Sequence, residues 1–363
     1  MTSEKFPLRR RPCLARIAGI VGAVGLGVGS ISGTATASTV ITQEDVEDPP
    51  LVITESGDYE VGEDLDADET LIRIKAGDVD IDGNEHHLDS GYGADTIEIN
   101  NASNVTVENV SIAGKAGISL TDVAECTVQD ASIRALDSIA VRCRNVTEST
   151  LENITTRGDS GAWGLGLLDS NSNSLIDNKI TPSGNGIVLR NSHDNTLIDN
   201  VARSSSNEEG IRLWDSNGNK LKNNQANRNN QSGIVISGVN NEVIENTAYS
   251  NIGSGIVVLD SNNMVRHNNV EWNDRGGIRV SGSKNSVMYN ELRMSDNNIE
   301  ISGEENQVSQ NIVNFPESPG IHLTEESNRN RVIRNEVNME EDDDTEAIKD
   351  EGDDNQLRAN VIS

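Results

Sequence analysis

A repeat of about 22 residues runs from Gly117 to the C-terminus and leaves few folds open to this chain. Gly followed by Ile or Leu opens units at Gly117, Gly164, Gly186, Gly210, Gly233, Gly255, Gly277 and Gly320, with Ser138-Ile139 and Asn298-Ile299 filling two further places. Counting the opener as zero, positions one and three are apolar, as in Ile187/Leu189, Ile211/Leu213 and Ile278/Val280. Period-two alternation over so short a run predicts a strand with one buried face. Some ten residues later comes Asn-x-[Leu/Val]-x-x-Asn, seen from Asn173…Asn178 and Asn195…Asn200 through to Asn355…Asn360. Asn tolerates the left-handed conformation of a sharp corner and hydrogen-bonds backbone locally, so repeated Asn predicts repeated corners. Two residues past the second Asn lies a further inward position, occupied by Ile180, Ala202, Ala226, Ala248, Val270, Leu292, Val313, Val337 and Ile362.

Three short strands per unit leave no room for a helix, and they bury their apolar positions only if the chain coils and each strand pairs in parallel with its counterpart one coil on. The expectation is an all-β solenoid, a parallel β-helix, with Asn ladders along a rod that grows by ~4.8 Å per coil. The Leu-x-x-Leu-x-Leu frame of leucine-rich repeats is missing, and the period is too long for three hexapeptides.

The N-terminal region adds a resemblance. Ile53-Thr54-Glu55-Ser56-Gly57-Asp58-Tyr59, Asp64-Leu65, Ile72-Arg73-Ile74-Lys75-Ala76 and Val79-Asp80-Ile81-Asp82-Gly83-Asn84-Glu85-His86-His87-Leu88 look like the opening coils of NosD-like proteins. Over residues 50–363 the chain resembles that family, part of the right-handed, pectin-lyase-like parallel β-helix class described as carbohydrate-binding and sugar-hydrolase modules. The right hand of the helix is implied by this resemblance. So is a role in periplasmic copper handling for nitrous oxide reductase assembly. Copper wants clustered soft or imidazole ligands, whereas His86, His87, His193, His267 and His322 fall at unrelated positions and Met264, Met288, Met294 and Met339 form no stripe. The reading of the residues is therefore no metal and no cofactor.

Residues 1–37 hold Lys5, Arg9, Arg10, Arg11 and Arg16, then a Gly-interrupted apolar run, then Ala35-Thr36-Ala37. This reads as a signal peptide cleaved after Ala37, with Arg10-Arg11 resembling a twin-arginine motif; an uncleaved anchor is the rival reading. The apolar run is short for a stable membrane span. An acidic leader is expected over 38–50, N-terminal coils over 51–116, the repeats over 117–363 and an acidic loop over 340–344. Without residues 1–37 the chain keeps 24 basic against 58 acidic residues. Such a balance argues against nucleic acid as a partner and for the solvated acidic surface of a salt-adapted, secreted or cell-surface protein. Cys126 and Cys143 fall at different coil positions, so stability is expected from stacking rather than a disulfide. Sequons at Asn101, Asn104, Asn109, Asn145, Asn153 and Asn230 suit an exported chain, and equally suit turns.

On a parallel β-helix the outward positions of one sheet form a track. Arg142, Val188, Arg190, Arg212, Trp214, Val235, Val257, Leu259, Arg279 and His322 occupy it. Guanidinium groups take carboxylates or sulfates bidentately and an indole offers a flat face to a sugar ring, so Arg190, Arg212, Trp214 and Arg279 are the candidate ligand-binding residues for an extracellular, anionic polysaccharide or cell-surface glycan. Against this stands a plain solvated surface neutralised by its acidic neighbours. Asp169, Asp215 and Asp260 share position five, and Asp215 beside Arg212 is the one candidate catalytic pairing for a polysaccharide lyase, epimerase or glycosidase. Each also begins Asp-Ser-Asn, which is ordinary turn chemistry. Three readings stay open: a binding or surface structural module, an enzyme on the same scaffold, and a copper accessory protein.

Overall fold

Every alternating apolar run becomes a strand, mostly of three residues, and each pairs in parallel with its counterpart one coil later. In the computed structural model, residues 38–363 are described apart from 160, 183, 296, 317 and 341–345. Three parallel sheets result. Sheet A has 15 strands, from Thr39–Ile41 to Gln356–Arg358; sheet B has 14, from Leu51–Ile53 to Ile348–Asp350; sheet C has 14, from Leu65–Asp66 to Val361–Ile362. Inward residues of all three meet on the axis, where Ile187, Leu197 and Ala202 of one coil are fully buried. The core positions named from the repeat are buried, save that Ile362, on the last coil, is 59% exposed.

Most openers are glycines, at sites where the neighbouring coil leaves no room for a side chain. A Cβ on Gly186 would stand 2.2 Å from the carbonyl oxygen of Gly210. One opener is misplaced by the sequence pattern. Ile118 pairs with Val141 and Val141 with Leu165, so Ala140-Val141 opens that coil, and Ser138-Ile139 lies two residues early, with Ile139 opposite Trp163. The coils on either side are a little longer than 22 residues, which shifts the pattern there.

The ladders form, but for a different local reason than expected. The ladder asparagines are buried except Asn355 and Asn360 on the last coil; the left-handed residue is the one just before each of them, such as Asp177 (φ 54°) before Asn178 and Asp199 (φ 59°) before Asn200. Asn200 Nδ2 donates to the Leu175 carbonyl oxygen at 2.9 Å and to Asn224 Oδ1 at 2.9 Å, while its own Oδ1 accepts from the Asn178 amide at 3.1 Å. Such links close the orphan backbone groups of a buried corner. A third, shorter ladder of Ser205, Asn229, Asn251, Asn273 and Ser295 closes the remaining corner.

Part of the segment expected as an acidic leader, 38–50, joins the coils. Thr39–Ile41 pairs with Gly57–Val61, and the one-turn 3-10 helix Gln43–Val46 buries Val46. Cys126 and Cys143 are buried free thiols, and burial pushes the Cys143 thiol up to about 12. Residues 1–37, expected to be a signal peptide, and most of the expected acidic loop 340–344 lie outside the described residues. No helix among the described residues is long and apolar enough to cross a membrane.

Candidate functional site

Sheet B carries the track. Val188, Arg212 and Val235 are direct neighbours on successive strands, as are Arg190 and Trp214. This brings three of the four candidate binding residues together. Trp214, 46% exposed, has the Arg212 guanidinium 5.0 Å and the Arg190 guanidinium 5.3 Å from its ring centroid. Both contacts fall in the range of cation–π attraction, which holds the guanidinium groups beside the indole instead of letting them swing free. Val188 and Val235, expected to be solvated, are 3% and 7% exposed and give Arg212 an apolar seat.

The two arginines differ in their charge partners. Arg212 Nη1 donates to Glu209 Oε1 at 2.8 Å, whereas Arg190 makes no ion pair among the described residues. Arg212 Nε is buried and has no hydrogen-bond partner among the described residues. Glu208, next to Glu209, has its carboxyl held above the usual range by partial burial first and by the Glu209 charge second, against the opposing pull of Arg212. Glu208 and Glu209 were not singled out by the sequence pattern, since they stand on the corner before the strand. Their signal was an acidic pair directly ahead of the Gly210 opener.

The fourth residue lies apart. Arg279 is three coils from Arg212, ~14 Å along the axis. Its Nε and Nη2 both donate to Glu300 Oε1, at 3.0 and 2.7 Å. Other arginines on this sheet are neutralised in the same way, Arg73 by Glu98 at 2.6 Å and Arg142 by Asp95, and His322 Nε2 lies 2.8 Å from Glu351 Oε2. The solvated-surface reading thus fits Arg279 and most of the track, and leaves Arg190, Arg212 and Trp214 as a local exception.

Asp215 is exposed and left-handed (φ 49°), in a corner column with Asp169 (φ 51°) and Asn191 (φ 49°). Asn191 Nδ2 donates to Asp169 Oδ1 at 2.5 Å. The same Asn-over-Asp pairing recurs in Asn104 to Asp78, Asn145 to Asp122 and Asn153 to Asp130. With Asn109 to Asp82 it accounts for four of the six sequon asparagines, Asn104, Asn109, Asn145 and Asn153, as corner residues, and it places Asp215 in a turn column. Asp260 accepts from Ser237 Oγ at 3.0 Å and from the Gly238 amide at 2.8 Å, a structural role.

Concavities lie elsewhere. A groove of about 440 Å³ between sheets A and C is lined by Asp130, Glu152, Asp177, Lys179 and Asp199 among others. Among the described residues no three His, Cys, Asp or Glu side chains gather as a metal site. His193 Nδ1 accepts from the Asn217 amide at 3.0 Å and His267 stacks on Tyr289, each on a different coil. A buried thiol with a raised pKa is a poor source of thiolate. This donor set does not fit a copper centre.

The chain matches the family described as "Periplasmic copper-binding protein (NosD)" over residues 52–225, 137–265 and 202–361. A search of curated proteins finds no match. Among solved structures it is similar to the periplasmic alginate epimerase AlgG, at 14% identity over 89% of this chain and 83% of that one with a TM-score of 0.50. It is similar to DFA-IIIase from Arthrobacter chlorophenolicus A6 in complex with DFA-III, at 11% identity over 76% and 83% with a TM-score of 0.54. A third is the GH136 lacto-N-biosidase of Eubacterium ramulus, at 10% identity over 89% and 64% with a TM-score of 0.50. At these identities the likeness is one of fold.

Proposed function

This chain belongs to the NosD family of right-handed parallel β-helices, and we propose that it is an extracytoplasmic carbohydrate-binding protein whose ligand is an anionic glycan. One observation carries the reading: an exposed indole flanked by two arginines, one of them without a carboxylate partner among the described residues, on a protein of formal net charge −30. An acidic sugar has an apolar ring face for Trp214 and a carboxylate or sulfate for Arg190, with the Arg212 Nε–H a further donor in reach of small side-chain adjustment. The family's periplasmic description and the carbohydrate-acting neighbours of the same fold support the compartment and the class of ligand. Copper handling is not favoured, because the donor atoms are scattered.

Replacing Arg212 and Trp214 together with Ala tests this. Outward residues contribute little to coil stacking, so the fold is kept, while affinity for a polyuronate or sulfated glycan falls. Loss at Arg212 alone is about 1.5–3 kcal/mol, the range for hydrogen bonds to charged groups, and it shrinks with added salt. Unchanged affinity in the double variant returns this face to plain solvated surface. The enzyme reading has two candidates, Asp215 in its corner column and Glu208, a partly buried carboxyl held above the usual range on the corner just before Arg212. Product analysis after incubation of wild type and Glu208→Gln with the bound glycan decides between enzyme and binding protein: an enzyme that uses Glu208 makes product that the variant does not, and a binding protein makes none.

A further inference from the structure

Large aromatic residues occupy corner positions where other coils carry small or polar ones. On the corner that follows sheet C, Ser250, Trp272, Met294 and Phe315 succeed one another, and on the corner that precedes it, Glu245, His267, Tyr289 and Gln310. All eight are left-handed, with φ 55° at Trp272, 57° at Tyr289, 57° at His267 and 49° at Phe315. A bulky side chain in that region is an outlier that calls for a reason. Packing does not supply one, because Trp272, Tyr289 and Phe315 are 46%, 43% and 36% exposed. The chain has only nine aromatic residues (three Trp, four Tyr, two Phe), and these three fall on successive coils of one face.

The rings form two rails along the edges of sheet C. On one, His267 and Tyr289 are stacked, centroids 5.1 Å apart and planes within 6°. On the other, Trp272 and Phe315 lie two coils apart, ~10 Å, with the Arg293 guanidinium 5.6 Å from the Phe315 ring. Between the rails run the outward side chains of Asn269–Glu271, Glu291–Arg293 and Ile312–Asn314, which are polar except for the exposed Ile312. Glu271 and Glu291 flank Arg293 in that strip, so the surface between the rings holds both signs of charge.

From this geometry we infer that the sheet C face is a second carbohydrate-binding surface, for a neutral glycan. Pyranose rings offer apolar faces to stack on aromatic rings and hydroxyl edges to hydrogen-bond the Asn, Glu and Arg between them. A polyanion finds no excess of positive charge here. Nucleobases also stack, but a net charge of −30 repels their phosphates. A second copy of this chain would bury Glu271, Glu291 and Arg293 at the centre of the contact, where charge is depleted in protein interfaces. The surface is on a different sheet from Trp214 and takes a different class of glycan, so it stands or falls independently.

The test uses the whole protein titrated calorimetrically with a panel of neutral hexasaccharides (gluco-, manno- and galacto-configured), with Trp272→Asn/Tyr289→Asn/Phe315→Asn as the variant. Asn accepts the left-handed conformation, so the variant keeps the wild-type melting temperature or exceeds it. Wild type binds at least one neutral glycan, the triple variant binds it at least tenfold more weakly, and Arg190→Ala/Arg212→Ala/Trp214→Ala binds it as wild type does. Absence of neutral-glycan binding by wild type at millimolar ligand overturns the inference, as does equal binding by the aromatic variant. Wild-type self-association in the ultracentrifuge that the variant lacks also overturns it, by assigning the face to a second copy.

Discussion

Asn246 shows how one residue type holds a corner. Its Nδ2 donates to the Leu221 carbonyl oxygen at 2.9 Å and to Asn268 Oδ1 at 3.1 Å, and its Oδ1 accepts from the Asn224 amide and side chain at 2.8 and 2.9 Å. Asn246→Ala leaves buried donors unpaired, and chemical denaturation should show a loss of about 2–3 kcal/mol. The residue before it behaves oppositely. Glu245 is left-handed (φ 57°), a conformation that Asn adopts more readily, so Glu245→Asn should gain up to about 1 kcal/mol in the same measurement. The Asn spacing was legible because ladders need one residue type at one place in every coil. What the spacing does not reveal is which neighbour turns, since Asp177, Glu245, His267 and Tyr289 all fill the turning position and share no chemistry. For the same reason Asp215 reads as a catalytic candidate in sequence and as a corner residue in space.

At the scale of the coil, strand positions follow from alternation, and glycine marks where one coil presses on the next. Gly186→Ala should cost about 1–3 kcal/mol by overpacking against the Gly210 carbonyl, read as a lower denaturation midpoint with unchanged slope. The sequence pattern misplaces the coil opened by Ala140 because chain length varies between strands there, while register follows the buried apolar residues Ile118, Val141 and Leu165. The same variable corners hid Glu208 and Glu209. Burial and the Glu209 charge raise the folded pKa of Glu208 above its unfolded value, so its contribution is fully present below the unfolded carboxylate range and is lost as pH rises through the folded pKa. At neutral pH Glu208→Gln removes that penalty. Thermal stability should therefore rise by less than about 1 kcal/mol at pH 7, and the advantage over wild type should vanish as pH falls through the carboxylate range.

The whole rod joins a neutral-looking interior to an acidic exterior, and it is the exterior that selects partners. With 59 acidic against 29 basic residues, mutual repulsion opposes compaction and salt screens it. The melting temperature should climb from low to molar salt, and a flat profile would show that the coils, not the charge, set stability throughout. Fold class was legible from the repeat, because a solenoid repeats its sequence wherever it repeats its structure. The site was legible in part: register alone brought Arg190, Arg212 and Trp214 together, but which arginine is neutralised depended on carboxylates that the track reading left out, Glu209 on a corner and Glu300 at position two of the coil after Arg279. The account therefore turns on whether the patch around Trp214, where Arg190 has no ion-pair partner among the described residues, recognises acid groups on a sugar. The direct measurement is a titration of the protein, followed by Trp fluorescence, with a uronate oligosaccharide and with the same oligosaccharide methyl-esterified. The free acid should bind and perturb Trp214, with the signal lost in Trp214→Phe and the affinity falling at least tenfold, about 1.4 kcal/mol, in Arg190→Ala, while the ester binds weakly. Equal binding of acid and ester, or no binding of either, would contradict it.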